Sequence, residues 1–144
     1  MSYAHNLAWC AGFFDGEGFV TIQKRNSKVN GKYYQGYYLR IGVNHVAIEP
    51  LLELQKILGG TIRKQNPDKV TGNRKQRHSW QMSCSQAKEA LIQMMPYFRN
   101  KTKVAELGIE LQNTMGNNGQ KVTEELNSVR ANLKEQISNL NAKD

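Results

Sequence analysis

Apolar and polar residues alternate with period two in two separate segments of the chain, and each segment predicts a pair of antiparallel strands. In residues 18–48 the alternation runs on both sides of a polar stretch, 26–32, which predicts the connecting loop. In residues 60–83 it resumes and extends to Cys84. Because successive side chains of a strand point to opposite faces, the four strands should form a sheet with one apolar and one polar face.

Elsewhere, apolar residues recur every three to four positions, a spacing typical of amphipathic helices. After an N-terminal helix, this spacing predicts helices over 48–58, 86–98, 102–115 and 122–140. Pro96 should end the second of these, and the segment GNNGQ should separate the last two. The order helix, hairpin, helix, hairpin, helix, with two further helices, predicts an α+β fold whose helices cover one face of a four-stranded antiparallel sheet.

Length and composition predict one globular domain spanning residues 1–144. The chain is 39% apolar, which is enough to form a core. It has no apolar run long enough to cross a membrane, and its N-terminus lacks the basic region and cleavage site of a signal peptide. Cys10 and Cys84 form neither a disulfide framework nor a metal-binding spacing. We therefore expect an intracellular protein in a reducing compartment, not a secreted one.

The positive charge is concentrated in the two predicted strand pairs. The chain has 20 Lys and Arg against 12 Asp and Glu, for a formal net charge of +8. Residues 18–48 contain five basic residues and no acidic one, and residues 60–83 contain six basic residues and one Asp. An antiparallel sheet often has one polar face that is simply exposed to solvent. The near absence of acidic residues on these strands instead favours binding to DNA or RNA.

Arg, Gln and hydroxyl side chains on such a face could contact base edges, because Arg binds guanine and Gln binds adenine bidentately. The alternation selects the strand candidates Gln23, Arg25, Ser27, Tyr38, Arg40, Arg63, Gln65, Arg77, Ser79 and Gln81. The candidates for phosphate contacts, assigned to loops, are Lys28, Lys32, Lys69, Arg74 and Lys75.

The N-terminal helix ends in the segment CAGFFDGEG, residues 10–18. This segment resembles the LAGLIDADG motif of homing endonucleases, with Asp15 and Glu17 at the two acidic positions. The order of elements and the segment PYFRNKTK, which ends at Lys103, are also similar to the single-motif members of that family. The resemblance covers about residues 4–115. It implies an αββαββα domain with a four-stranded antiparallel DNA-binding sheet and additional C-terminal helices, the last at about residues 121–141.

The resemblance also implies an activity. Family members of this type bind a long pseudo-palindromic duplex as homodimers and hydrolyse both strands with a divalent metal, in intron or intein homing. Mg²⁺ is the expected cofactor, Mn²⁺ should substitute, and Ca²⁺ should support binding without cleavage. The protein would act where its target DNA is, in a bacterial or phage-infected cytoplasm or in an organelle. Two alternatives remain open: an RNA maturase that assists intron splicing, and a DNA-binding protein or repressor of the same fold that does not cleave.

Small residues recur every four positions in the N-terminal helix, at Ala8, Gly12 and Gly16. This spacing places them on one helix face, where another helix backbone can approach closely. Only one copy of the motif is present, so the second helix should come from a second chain in a twofold homodimer. The alternative is that these residues pack against the sheet of the same chain.

Asp15 and Glu17 are two residues apart and cannot share a helix face, so different roles are expected. The resemblance implies that Glu17, with Gly16, binds the metal beside the scissile phosphate. It implies that Asp15 and Gly12 are structural. Two Glu17 carboxylates near two phosphates at a twofold axis would require a hard cation such as Mg²⁺.

Three further residues are catalytic candidates. Lys101 matches the lysine of the family, with Lys103 as the alternative. Relatives often have a Gln and a basic residue at the end of the second strand, where they organise water. Here that position holds Asn44 and His45, which are the candidates to replace them. A polar cap at the strand end is the other interpretation of His45.

Overall fold

The computed structural model describes residues 2–65, 75–116 and 122–142. Their secondary structure elements follow in the order α1 (Tyr3–Glu17), β1 (Gly18–Val29), β2 (Lys32–His45), α2 (Glu49–Leu58), β3 (Thr61–Gln65), β4 (Arg77–Ser83), α3 (Cys84–Met94), α4 (Thr102–Asn113) and α5 (Glu124–Ala142). A short 3-10 turn, Met95–Tyr97, follows α3 and contains Pro96. The predicted α+β order is confirmed. Among the described residues, no helix is both long and apolar enough to cross a membrane.

The four strands form one antiparallel sheet in the order β1-β2-β4-β3. Apolar residues are in register across it, as in the row formed by Val20, Ile41 and Met82. The helices pack on this apolar face. Trp80 of β4 is completely buried there, with its ring edge to face against Phe14 of α1 at a centroid distance of 6.5 Å. The opposite face is polar, as the alternation predicts.

The predicted loop over 26–32 is wrong, because the strands pair up to the register Val29 and Lys32. Only Asn30 and Gly31 form the turn, with φ angles of 53° and 80°. Asn-Gly adopts two successive positive φ angles readily, and such a turn matches the twist of the flanking strands. Polar residues on both faces hide the alternation at this end of the hairpin, so the sequence resembles a loop.

Two of the predicted loop residues therefore lie in strands. Lys32 begins β2, and Lys28 lies in β1, where the alternation puts it on the face opposite to Arg25. Lys75 is exposed just before β4. The other two predicted loop residues, Lys69 and Arg74, lie outside the described residues, as does most of the GNNGQ segment.

The end of the second strand pair also differs from the prediction. Cys84 does not continue β4 but is the first residue of α3, which therefore begins two positions before the predicted residue 86. Ser83 is extended, and Cys84 has a positive φ of 56°. The chain therefore turns from strand to helix without an intervening loop.

The C-terminal helix α5 packs against α4 and β1. Leu133 and Ile137 are its buried apolar residues. Arg130 is also buried, and its guanidinium donates hydrogen bonds to the hydroxyl and the carbonyl of Thr114, at 2.9 and 2.8 Å. Because Thr114 follows the last residue of α4, Arg130 satisfies a carbonyl at the end of that helix.

Candidate nucleic-acid interface and cleavage site

The small residues of α1 form an exposed face. Ala8, Gly12 and Gly16 are exposed, and a Cβ atom added at either glycine would meet no other atom within 4 Å. The other side of α1 is buried on the sheet through Leu7, Cys10, Ala11 and Phe14. The small-residue face therefore does not pack on the sheet of its own chain. It is open to the backbone of a second helix.

A groove of about 520 Å³ runs beside this face. Ala8 and Gly12 line one side, and the 3-10 turn with Pro96 and Tyr97 lines the other. Tyr97 is 37% exposed, and Trp9 of α1 is 43% exposed while its ring packs on Phe13. Large apolar side chains thus lie in solvent near the open helix face, which is typical of an interaction surface.

Asp15 connects α1 to the start of α4. Its carboxylate accepts hydrogen bonds from the backbone N–H groups of Arg99 at 2.9 Å, Asn100 at 3.0 Å and Lys101 at 2.8 Å. Burial on its own would raise the pKa of Asp15. The backbone hydrogen bonds, aided by the charge of Lys101, outweigh burial and hold this pKa below its ordinary value. Asp15 is therefore an ionised clamp that holds the turn before α4 against α1.

Glu17 and Lys101 lie at the two ends of this clamped arrangement. Glu17 is exposed as the last residue of α1, and Lys101 is half-buried at the position that precedes α4. A cleft of about 520 Å³ separates the start of β1 from the start of α4. Gly18, which follows Glu17, lines this cleft together with Lys101 and Lys103. The structure therefore brings both lysine candidates to the region where α1 ends.

The two candidates at the end of β2 lie on opposite sheet faces. Asn44 is in register with Ser79 on the polar face. His45 is on the helix side, where its ring packs edge to face against Phe13 of α1 at 5.6 Å. Its Nδ1 atom accepts a hydrogen bond from the backbone N–H of Ala47 at 3.0 Å. This contact has the geometry of a polar cap at the strand end, and only Asn44 shares the face of the basic strands.

The polar sheet face brings most of the predicted base-contacting residues together. A cleft of about 530 Å³ on this face is lined by Arg25, Tyr38, Arg40, Arg63 and Gln81. The register also places Gln23, Gln65 and Arg77 on the same face. By its backbone, Ser27 lies in β1 opposite Tyr34. Ser79 differs from the rest, because it is 4% exposed and its hydroxyl accepts a hydrogen bond from Gln81 at 2.8 Å.

Three further residues lie on this surface but are not among the candidates from the sequence: Phe19, Thr61 and Ser83. Phe19 is half-buried and lies on the polar face in register with Gly42, although it is aromatic. Thr61 and Ser83 line the same cleft as Arg40. Counting the alternation back from Thr21 and Arg63 and on from Gln81 would have found all three.

A single chain provides few ligands for a metal ion. In the part of the chain that the structure describes, no three His, Cys, Asp or Glu side chains are close enough to hold one. Asp15 uses its oxygens on backbone N–H groups. Glu17 is the exposed carboxylate, and the carbonyls at the end of α1, including that of Gly16, are further oxygen donors. Oxygen donors of this kind suit Mg²⁺ and Ca²⁺, but they need more ligands than one chain brings here.

Comparison with known proteins assigns the chain to a family. The LAGLIDADG endonuclease family model matches residues 10–113. The chain belongs to this family, which confirms the resemblance seen in the motif. No curated protein matches the sequence.

Solved structures share the fold at low sequence identity. The homing endonuclease I-CvuI in complex with its target and 2 mM Ca is 22% identical over 96% of this chain and 83% of that chain, with a TM-score of 0.73. I-CvuI with the I-CreI target and 2 mM Mg, in which the DNA is not cleaved, is 24% identical over 94% and 83%, with a TM-score of 0.75. The archaeal intron-encoded endonuclease I-Vdi141I, complexed with DNA, is 14% identical over 94% and 84%, with a TM-score of 0.72.

Proposed function

We propose that this protein is a site-specific DNA endonuclease of the intron or intein homing type, which binds a long pseudo-palindromic duplex as a homodimer and cuts both strands. One observation carries the proposal. Helix α1 has an open small-residue face and ends at Glu17. Asp15 on the same helix holds the turn that bears Lys101. Two such helices packed face to face would bring two copies of this arrangement together beside two basic sheet faces.

The metal would be held jointly by two chains and the DNA. Glu17, the Gly16 carbonyl and phosphate oxygens form the hard oxygen set that Mg²⁺ prefers. We propose Mg²⁺ as the cofactor, with Mn²⁺ as a substitute and Ca²⁺ supporting binding alone. The use of Ca and Mg in the I-CvuI complexes supports a divalent metal. Such an ion lowers the pKa of bound water and neutralises charge on the phosphate.

The roles of this chain's own residues follow from their positions. Lys101 would face the phosphate or its water shell from the cleft beside Gly18. Asn44, on the polar face, is better placed than His45 to orient water near the DNA. Asp15 acts through Lys101, because it holds the backbone of that residue rather than the substrate. Gly12 keeps the helix face open to the partner helix.

A cleavage selection tests the proposal. The purified protein is incubated with a randomised duplex library and Mg²⁺, with parallel reactions in Ca²⁺ and in EDTA, and new DNA ends are sequenced. We expect discrete Mg²⁺-dependent ends on both strands around a twofold centre. Glu17→Gln is the matched control and should yield no ends. Sequence-independent ends, or ends that Glu17→Gln also produces, would contradict the proposal.

A DNA-binding protein that does not cleave is the second candidate. It is favoured by the end of β2, where His45 is engaged with Ala47. The same experiment separates the two, because binding in Ca²⁺ without new ends in Mg²⁺ would support this candidate. Binding to an intron RNA without any duplex cleavage would instead support the maturase alternative.

A further inference from the structure

Arg40, on the polar sheet face, is held beside an aromatic ring. Its neighbours across the sheet are Thr21 on β1 and Ser83 on β4. The Cζ atom of its guanidinium lies over the ring of Phe19, 5.6 Å from the ring centre. A cation in this position is attracted to the negative face of the ring, and the planar guanidinium can stack there.

Gly42 allows the Phe19 ring to occupy this place. Phe19 and Gly42 are directly opposite each other on β1 and β2. A Cβ atom at Gly42 would lie 2.7 Å from Cζ of Phe19 and 2.6 Å from the backbone oxygen of Trp80. Any other residue at this position would displace the ring or the backbone of β4. Phe19 and Gly42 together form what we call the platform for Arg40.

The Arg40 side chain is also confined along its length. Its Nε atom is buried and has no hydrogen-bond partner within the described residues. An unsatisfied buried donor costs free energy unless a ligand or a water molecule meets it. The side chain is therefore enclosed at Nε, and its guanidinium lies against the Phe19 ring. Its two terminal amino groups remain to form a bidentate contact with a ligand.

We propose that the platform makes Arg40 a guanine-specific contact, so that each half-site contains one guanine recognised by an arginine fixed before binding. This inference rests on the proposed function. Arg40 contacts the DNA, whereas Phe19 is a positioning residue that acts through Arg40. Because the side chain is already ordered, little rotamer freedom is lost on binding. A bidentate arginine contact should then favour guanine on the order of ten- to a hundredfold over other bases.

The test measures binding to the selected duplex and to duplexes with each base pair changed in turn. Binding in Ca²⁺ is measured instead of cleavage, because Phe19 also lines the cleft that contains Lys101. Arg40→Lys identifies the position that Arg40 recognises. Phe19→Leu and Phe19→Met remove the ring, and Phe19→Tyr retains it. Tyr3→Leu is the control, since it removes an exposed ring on the helix side of the sheet, where the Tyr3 hydroxyl donates a hydrogen bond to Gln93.

We expect Arg40→Lys to abolish a guanine preference at one symmetric pair of positions. Phe19→Leu and Phe19→Met should reduce the same preference at least fivefold, on the order of half the discrimination energy of such a contact. Phe19→Tyr should preserve it, and Tyr3→Leu should leave it unchanged. In the Arg40→Lys background, Phe19→Leu should cause no further change at that position.

Three results would overturn the inference. One is a wild-type guanine preference in both ring-deleted variants, and another is an equal loss at all positions, as expected of a merely structural role. A position identified by Arg40→Lys that prefers a base other than guanine would do so as well. Failure of the wild-type protein to bind any duplex sequence-specifically would contradict the proposed function itself, so the two failures are distinguishable.

Discussion

Two carboxylates separated by one glycine have different environments in this protein. Asp15 accepts hydrogen bonds from three successive backbone N–H groups, whereas Glu17 is exposed at the end of the same helix. Their spacing in the sequence predicts different roles, since residues two apart do not share a helix face. The partner of Asp15 is not predictable in this way, because backbone groups 84 to 86 positions away carry no side-chain signal.

Glu17→Gln separates cleavage from binding. The amide keeps the shape of the side chain but removes the negative charge that attracts a metal ion. We expect cleavage to fall by more than about a hundredfold, since even residues that merely support metal ligands cost 10- to 100-fold. Affinity for the duplex in Ca²⁺ and the urea midpoint should change little. Loss of binding together with cleavage would contradict the metal-binding role. The control is Glu53→Gln, at an exposed position of α2.

Asp15→Asn should destabilise the fold and slow cleavage. The variant loses the charge that strengthens the hydrogen bonds from Arg99, Asn100 and Lys101. Hydrogen bonds to charged groups contribute about 1.5–3 kcal/mol, so we expect a loss of about 1–3 kcal/mol in the free energy of unfolding at pH 7. Urea unfolding measures it. A variant as stable as the wild type would show that the clamp is not a stabilising contact.

The same substitution has a pH signature. Folding lowers the pKa of Asp15, so its contribution to stability is fully present above the unfolded-state value near 3.9. This contribution is lost as the pH falls through the lower value of the folded state. The stability difference between wild type and Asp15→Asn should therefore shrink as the pH falls from about 5 through the unfolded-state pKa and then through the lower folded-state pKa. A difference that stays constant over this range would assign it to a cause other than ionisation.

At the scale of secondary structure, the pattern is a more reliable predictor of the elements than of the faces that are covered. The strands and helices follow from alternation and from three-to-four spacing, and most of their core residues are buried as expected. The pattern fails where both faces are polar, as at residues 26–28, and where a charged residue is buried, as at Arg130. In both cases backbone hydrogen bonding, which hydrophobicity does not encode, determines the structure.

The four-residue spacing of Ala8, Gly12 and Gly16 predicts a face for close packing, but not whether it lies inside or outside the chain. That depends on which side of α1 faces the sheet, and this is set by Phe14 and its neighbours. The structure leaves the small face exposed. An interface between chains is therefore the use for which this element is built.

Gly12→Leu should produce a folded monomer. Within one chain a Cβ atom at this position meets no other atom within 4 Å, and leucine favours a helix over glycine by about 0.5–1 kcal/mol. In the dimer, the same side chain would keep the two helices apart. Sedimentation equilibrium should show a mass of one chain, with an intact circular dichroism spectrum. A Gly12→Leu protein that remains dimeric would place the interface elsewhere. The control is Ser138→Leu, at an exposed position of α5.

At the scale of the whole molecule, charge and shape coincide. The polar face of the sheet carries Arg25, Arg40, Arg63 and Arg77, and the helices cover the other face. Composition alone predicts a polyanionic partner, but the arrangement of Arg25, Arg40 and Arg63 around one cleft depends on strand order. Strand β4 lies between β2 and β3, an order that the sequence analysis did not specify.

Phosphate and base contacts should respond differently to substitution. Lys75→Gln removes an exposed charge beside β4, so it should weaken binding to all sequences alike. With two copies in a dimer, the slope of log affinity against log salt should become less steep by about 1.8, at about 0.9 per phosphate. Arg63→Gln should instead change base preference at a symmetric pair of positions. Equal effects on salt dependence and on base preference in both variants would contradict this division.

The β1–β2 hairpin ends at the tight turn of Asn30 and Gly31, and its length limits how much DNA it can follow. Because β1 continues for 12 residues before the chain reverses, the ribbon extends about 40 Å at about 3.4 Å per residue. Base pairs of B-form DNA are stacked about 3.4 Å apart along the axis, so one ribbon can follow at most about 12 of them. Two ribbons would therefore limit the recognised sequence to about 24 base pairs. A unique site in a genome needs information of this extent, and we expect the length of the β1–β2 hairpin to set it.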